Sequence, residues 1–318
     1  MRKPAMKRRT FLRGIGSTLT ISALGAASAT ASDTRFDVVE SETSNTLHDV
    51  AATSGGLYAV GTSGVVLTRT EGLWKKVLDG GPSGNGNSLY GADVTDDGER
   101  LWFVGGSGAI GEYDVSTGTL YNHSAPNDVT NNFNDVAVTG TAGEANVYVA
   151  GDSGHIYASF ENGEAGSWDG TTPGSGSAIT AIDFHGPKSG HAVDGNQTVF
   201  STADGGSWDK IGIENANYNF YAVDSDASDD VEVAGGGGSV YEWDGATWVR
   251  SDTGDASLRD VDVTGQTGYS VGGGGTVFEQ TDGAWSQVAT PTGQNLKGVV
   301  ETDGLVVAVG AGGTVLEA

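Results

Sequence analysis

The chain of 318 residues contains no cysteine. That excludes disulfides, thiolate metal sites and a cysteine nucleophile. Proline is scarce, with six residues, and so is methionine, with two. The apolar stretch from Ile15 to Ala27 is short and broken by Ser, Thr and Gly. It falls below the roughly 20 apolar residues a membrane-spanning helix needs, and nothing downstream reaches that length. Helical periodicity is absent too. Basic residues are few: 16 Lys and Arg stand against 41 Asp and Glu, for a net charge of −25. Six of the 16 lie in the first 13 positions, and no acid precedes Asp33. The chain from Ser32 onward therefore has 10 basic and 41 acidic residues, a net charge of −31. Acidity spread this evenly repels nucleic acids and anionic membranes.

Glycine is abundant instead, with 53 residues, and much of it recurs at a fixed interval. One unit reads Leu47-His48-Asp49-Val50, then Tyr58-Ala59-Val60-Gly61, then Gly64-Val65-Val66-Leu67, then Trp74. Another reads Leu258-Arg259-Asp260-Val261, then Tyr269-Ser270-Val271-Gly272, then Gly275-Thr276-Val277-Phe278, then Trp285. The turn glycines Gly61, Gly105, Gly151, Gly195, Gly235, Gly272 and Gly310 lie 37 to 46 residues apart. Four short strands per unit of about 40 residues is the pattern of a β-propeller blade. Trp74, Trp168, Trp208, Trp248 and Trp285 follow their glycines by 13 to 17 residues, and blade two has Tyr121 there. The expected fold is an all-β, seven-bladed propeller. Its innermost strands start at Leu47, Leu89, Phe133, Ile179, Phe220, Leu258 and Leu296. The seventh unit stops after three strands. Residues 35–40, Arg-Phe-Asp-Val-Val-Glu, have the shape of the missing outer strand and are expected to pair near 313–317, which closes the ring.

The segment Lys7-Arg8-Arg9-Thr10-Phe11-Leu12-Arg13 resembles the twin-arginine export motif, with Ala29-Thr30-Ala31 as a cleavage site. The expected organisation is a signal peptide over 1–31 and one propeller over 32–318. The mature protein is expected to be an extracellular monomer, without stable membrane insertion. Asp outnumbers Glu, 27 to 14. Together with the scarcity of Lys, this resembles proteins of salt-loving archaea, whose hydrated carboxylates keep them soluble in brine.

The repeats resemble two groups of propellers. One is the photosystem II stability/assembly-factor-like family, with Leu-x-x-Val, Val-Gly-x-x-Gly and Asp-Gly-x-x-Trp elements. The other is the Asp-box repeat of sialidases, nearest at Ser201-Thr202-Ala203-Asp204-Gly205-Gly206-Ser207-Trp208. The first resemblance implies a binding or assembly module, and the second a secreted glycoside hydrolase. A sialidase of that kind needs three arginines on a substrate carboxylate. Of Arg35, Arg69, Arg100, Arg250 and Arg259, only Arg259 falls where it can reach the central mouth. Asp204 itself reads as a turn-stabilising residue.

No catalytic constellation, cofactor motif or His pair at metal spacing stands out. The run Asp224-x-Asp226-x-Ser228-Asp229-Asp230 has calcium-like spacing but lacks the glycine and distal glutamate of an EF-hand loop. One constellation points to a ligand. The second residue of each innermost strand is mostly polar: His48, Tyr90, Asn134, Thr180, Tyr221, Arg259 and Lys297. These seven form a ring at one mouth of the channel. Tyr90, Tyr221, Arg259 and Lys297 are the expected ligand-binding residues. The turns beside the mouth, such as Gly236-Gly237 and Gly273-Gly274, carry almost no reactive side chains. The expected function is an exported, non-enzymatic module for a protein or glycan partner. The alternative is a glycoside hydrolase with a carboxylate pair in the mouth.

Overall fold

The computed structural model describes residues 34–213 and 216–318. The twin-arginine motif and the cleavage site lie outside them. The described residues form 28 strands, β1 to β28 in chain order, in seven four-stranded antiparallel sheets. The innermost strands are β2 (Leu47–Thr53), β6 (Leu89–Val94), β10 (Phe133–Thr139), β14 (Ile179–Gly186), β18 (Phe220–Ala227), β22 (Leu258–Thr264) and β26 (Leu296–Thr302). Each starts at the residue its repeat predicts. Among the described residues no helix is long and apolar enough to cross a membrane.

The chain ends meet as the unfinished seventh repeat requires. β1 (Asp37–Val39) pairs antiparallel with β28 (Val315–Glu317), with Val38 opposite Leu316. The sheet order is β1-β28-β27-β26, where β27 is Leu305–Gly310. Phe36, just before β1, is buried against Tyr269 and blade seven. Burying a side chain of that size contributes about 2 kcal/mol.

The apolar core is divided among the joints. Seven clusters of buried residues each draw on two adjacent blades. Strands covered on both faces explain the short apolar runs of Val, Ala and Phe without alternation. The outer Trp residues take part unevenly. Trp74 and Trp168 are buried, and Trp208, Trp248 and Trp285 pack at the cluster margins. Tyr121 does not substitute for them, being 44% exposed. The joint of blades one and two is filled instead by Tyr58, Phe103, Tyr113 and Leu120, while Trp102, stacked on His123 at 4.8 Å, packs beside Trp168 in the joint of blades two and three.

Buried aspartates latch six of the seven joints. The carboxylates of Asp49, Asp93, Asp135, Asp183, Asp224 and Asp260 accept backbone N–H groups of the next blade's innermost strand. The donors are Ala92, Val138, Ile182, Ser225, Val263 and Val299, at 2.6 to 3.0 Å. Asp262 adds a second latch, to Glu301 N–H, at the joint of blades six and seven. β26 has Gly298 and Val300 at the two latch positions, so the joint of blades seven and one closes differently. There Glu317 of β28 accepts both Arg69 Nε–H and Arg69 NH2 at 2.8 Å, and Trp74 Nε1–H at 2.8 Å. Asp224 is thus a joint residue, and the calcium-like spacing breaks up. Among the described residues no group of three His, Asp or Glu is placed to hold a metal ion.

Candidate functional site at the channel mouth

Each innermost strand begins with a β-bulge. In β2, Leu47 pairs with Gly61 and Asp49 pairs with Val60, so His48 has no partner across the ladder. The same shift spans the first and third residues of β6, β10, β14, β18, β22 and β26. A bulge frees one residue from the pleat and re-aims its side chain. The freed residue is the second of each strand, and all seven are half-buried while both neighbours are buried.

The turn glycine makes room for this bulge. Gly61 has φ −165°, an extended conformation open to any residue. A Cβ there would lie 2.3 Å from Thr46 O, and at Gly105 it would lie 1.9 Å from Ser88 O. These glycines are needed for close backbone approach, not for a left-handed turn.

The bulged residues converge. His48, Tyr90, Asn134, Thr180, Tyr221, Arg259 and Lys297 line a single cavity. Its volume is about 70 Å³. That space suits a carboxylate-sized group or a few waters, and is small for a drug-sized ligand.

Several ring members are engaged within the protein. Asn134 Nδ2 donates to Asp152 Oδ1 at 3.2 Å and to Ile179 O at 2.9 Å. The single Thr180 Oγ1 proton is shared between Val193 O at 3.2 Å and Phe220 O at 3.0 Å. His48 Nε2 bonds Thr62 Oγ1 at 3.1 Å, and its ring meets Tyr90 edge-on at 5.2 Å. The Arg259 guanidinium lies 4.0 Å over the Tyr221 ring. That cation–π contact positions Arg259 and takes up a Tyr221 face that a sugar would need. Among the described residues neither Arg259 nor Lys297 forms an ion pair. Burial, then the neighbouring Arg259 charge, lowers the Lys297 pKa. Burial and Lys297 together push His48 down to about 4, so it is neutral at pH 7.

Three further lining residues were not expected from the sequence. Asp49, Asp135 and Asp260 line the cavity as well. Their signal was present in the repeat, because each directly follows a ring residue. Asp204, by contrast, does what its motif suggests. Its Oδ1 accepts the N–H groups of Gly206 at 2.9 Å and Ser207 at 2.7 Å, and the Ser207 and Gly206 bonds hold its pKa at about 2.

No family model matches the chain, and no curated protein does. Solved structures do. YCF48 from Cyanidioschyzon merolae is 17% identical with a TM-score of 0.69, covering 89% of this chain and 98% of its own. A YCF48 structure bound to D1 peptide is 15% identical with the same TM-score, over 92% and 98% of the two chains. A catalytically inactive virginiamycin B lyase from Staphylococcus aureus with quinupristin is 11% identical with a TM-score of 0.75, over 89% and 98%. At these identities the likeness shows the seven-bladed fold alone.

Proposed function

We propose that this chain is an exported, non-catalytic propeller that holds an anionic group of a protein partner at its channel mouth. One observation carries the reading: Arg259 and Lys297 are half-buried, adjacent in blade order and without an ion-pair partner among the described residues, in a chain otherwise dominated by acids. Two cations kept from their counter-ions at cost to Lys297 form a site for a carboxylate or sulfate. The structure of a YCF48 with a peptide supports peptide binding as a use of this fold. The lyase with quinupristin shows that the fold also serves an enzyme, so the fold by itself decides nothing.

The mouth chemistry favours binding over hydrolysis. A glycoside hydrolase needs a protonated carboxyl as general acid. Asp49 and Asp135 each accept two backbone N–H bonds, and Asp260 accepts Val299 N–H. These bonds commit the carboxylates to holding strands and blades together. A protein partner also fits better than a glycan, because Arg259 covers the Tyr221 face and the space is small. Export rests on the twin-arginine motif.

The test is affinity capture from culture supernatant at molar salt, with the wild type and the Arg259→Ser/Lys297→Ser variant. The variant is expected to melt within about 2 °C of the wild type, since neither residue forms part of a joint cluster. It should lose the protein that the wild type retains. Unchanged capture by a folded double variant overturns the site.

A further inference from the structure

Five lysines follow Ser32, and four of them lie at the surface or are engaged. Lys75 and Lys210 are exposed on outermost strands, Lys76 pairs with Asp79 at 3.0 Å, and Lys188 Nζ lies 3.8 Å over the Phe160 ring. Lys297 differs from all four. It lines the mouth cavity together with Arg259, and among the described residues its ammonium has no ion-pair partner. We infer that Lys297 is a covalent binding site for a small α-oxo acid, whose carbonyl carbon joins its amine while Arg259 holds the carboxylate. The inference rests on the anionic-group reading above and adds a reacting carbon to the anion.

Lys297 and Arg259 are the bulge-released residues of β26 and β22, the innermost strands of adjacent blades. The Arg259 charge bears on Lys297, and the Lys297 charge bears on His48 of blade one. The ammonium therefore stands between its two neighbours along the ring. An amine attacks a carbonyl through its lone pair, so it must first give up a proton. Burial, and then the Arg259 charge, disfavour the ammonium of Lys297 and lower its pKa. A desolvated lysine beside a second cation is prepared for imine formation in this way. Arg259 does not compete for the carbonyl, because its guanidinium stays protonated.

In the covalent step Lys297 releases one proton to solvent, and its lone pair forms the N–C bond as the carbonyl π pair moves to oxygen. That oxygen takes one proton from the nitrogen and one from solvent and leaves as water. The product is a protonated imine, and nothing is oxidised or reduced. The positive charge ends on the imine nitrogen, next to the ligand's own carboxylate. An aldehyde without a carboxylate leaves Arg259 unused. A cavity of about 70 Å³ restricts the acid to a short one. An α-oxo acid carries carbonyl and carboxylate on neighbouring carbons, so it offers both groups to the two adjacent ring residues at once.

The test is reductive trapping. Protein purified from culture supernatant is incubated at neutral pH with sodium cyanoborohydride and either glyoxylate or acetaldehyde. Cyanoborohydride gives hydride to the imine carbon and fixes it as a secondary amine, which peptide mass spectrometry locates. Lys75, Lys76, Lys188 and Lys210 of the same sample are the internal standard. Glyoxylate is expected to label Lys297 about tenfold or more above each of them, and acetaldehyde to label it far less on the same scale. Arg259→Ser should remove the preference of Lys297 for glyoxylate over acetaldehyde, with the melting temperature showing that the variant is folded. Labelling of Lys297 no greater than that of the other four lysines overturns the inference. The anionic reading then still stands if the Arg259→Ser/Lys297→Ser variant loses its protein partner. Equal labelling of Lys297 by the two aldehydes, or a glyoxylate preference that survives Arg259→Ser, overturns the inference and also counts against Arg259 as the holder of an anion.

Discussion

Glu317 is expected to hold the ring shut, because its joint alone has no aspartate at either latch position of the innermost strand. The informative perturbation is Glu317→Gln. The amide keeps the shape, and its carbonyl still accepts from Trp74, but the two bonds from Arg69 lose their charge and one faces a second donor. A fully buried pair broken on one side costs about 3–5 kcal/mol. Here the Arg69 side chain is 30% exposed and that of Glu317 12%, so the stranded guanidinium can turn toward water. We expect a loss of about 2 kcal/mol, a drop of about 4 to 8 °C in melting temperature. Arg35→Ala is the control. Its pair with Asp37 is 84% and 72% exposed, and its removal should cost under about 0.5 kcal/mol.

The pH dependence gives the sign. Burial pushes the Glu317 pKa up. The hydrogen bonds from Arg69 and Trp74 and the Arg69 charge outweigh it, so the folded pKa lies below the ordinary 4.5. A depressed carboxyl stabilises the fold fully above its unfolded pKa, and the contribution fades as pH falls through the folded one. The gap in melting temperature between wild type and Glu317→Gln should therefore be full at pH 7 and shrink below about pH 4. Thermal denaturation of both proteins across that range is the assay. Equal melting temperatures at pH 7 would falsify the closure argument.

Three further outcomes follow from the same physics. Gly61→Ala should cost about 2 to 3 kcal/mol or prevent folding, because the new Cβ strikes Thr46 O and the bulge cannot withdraw; Gly72→Ala, with nothing within 4 Å, isolates the cost of its left-handed φ of 78°. Melting temperature should rise steeply from low to molar KCl, since the chain from Ser32 onward has a net charge of −31 and few cations to pair it; a flat profile ends the halophilic reading. Arg8→Lys/Arg9→Lys should keep the protein inside the cell, and normal secretion of that variant excludes the twin-arginine route.

The fold was legible because its strongest constraints are steric and repeat seven times. Leu47, Gly61 and their counterparts mark where an innermost strand starts and where its neighbour must come close, so strand starts and blade count could be read directly. The unfinished seventh repeat located β1 for the same reason. The aspartate latches were not legible. Their roles depend on which backbone N–H of the next blade each carboxylate meets, and 27 aspartates hide seven latches. The latch stands at the third residue of some innermost strands, as at Asp49, and at the fifth of others, as at Asp93, so no single column of the repeat shows it. Tyr121 misled because it stands at the Trp offset, while Tyr58, Phe103, Tyr113 and Leu120 already fill the joint of blades one and two from other positions.

The ring shows why legible structure and hidden function share one strand. In β22, Leu258 is buried at the joint, Asp260 latches it, and both pair across the ladder. Arg259 between them is released by the bulge and has no partner across the ladder. A substitution at Leu258 or Asp260 is resisted by packing and by an orphaned N–H. A substitution at Arg259 meets neither cost. The bulge therefore divides each innermost strand into positions the fold dictates and one position it leaves open, and seven such openings meet in one cavity. Asn134 and Thr180 still cross to the next blade, donating to Ile179 O and Phe220 O, so the freedom is from the ladder and not from every joint. Release from the ladder explains why His, Tyr, Asn, Thr, Tyr, Arg and Lys stand at equivalent positions of similar blades. It also explains why the repeat, which specifies the architecture so fully, leaves the ligand to be read from the seven residues that break it.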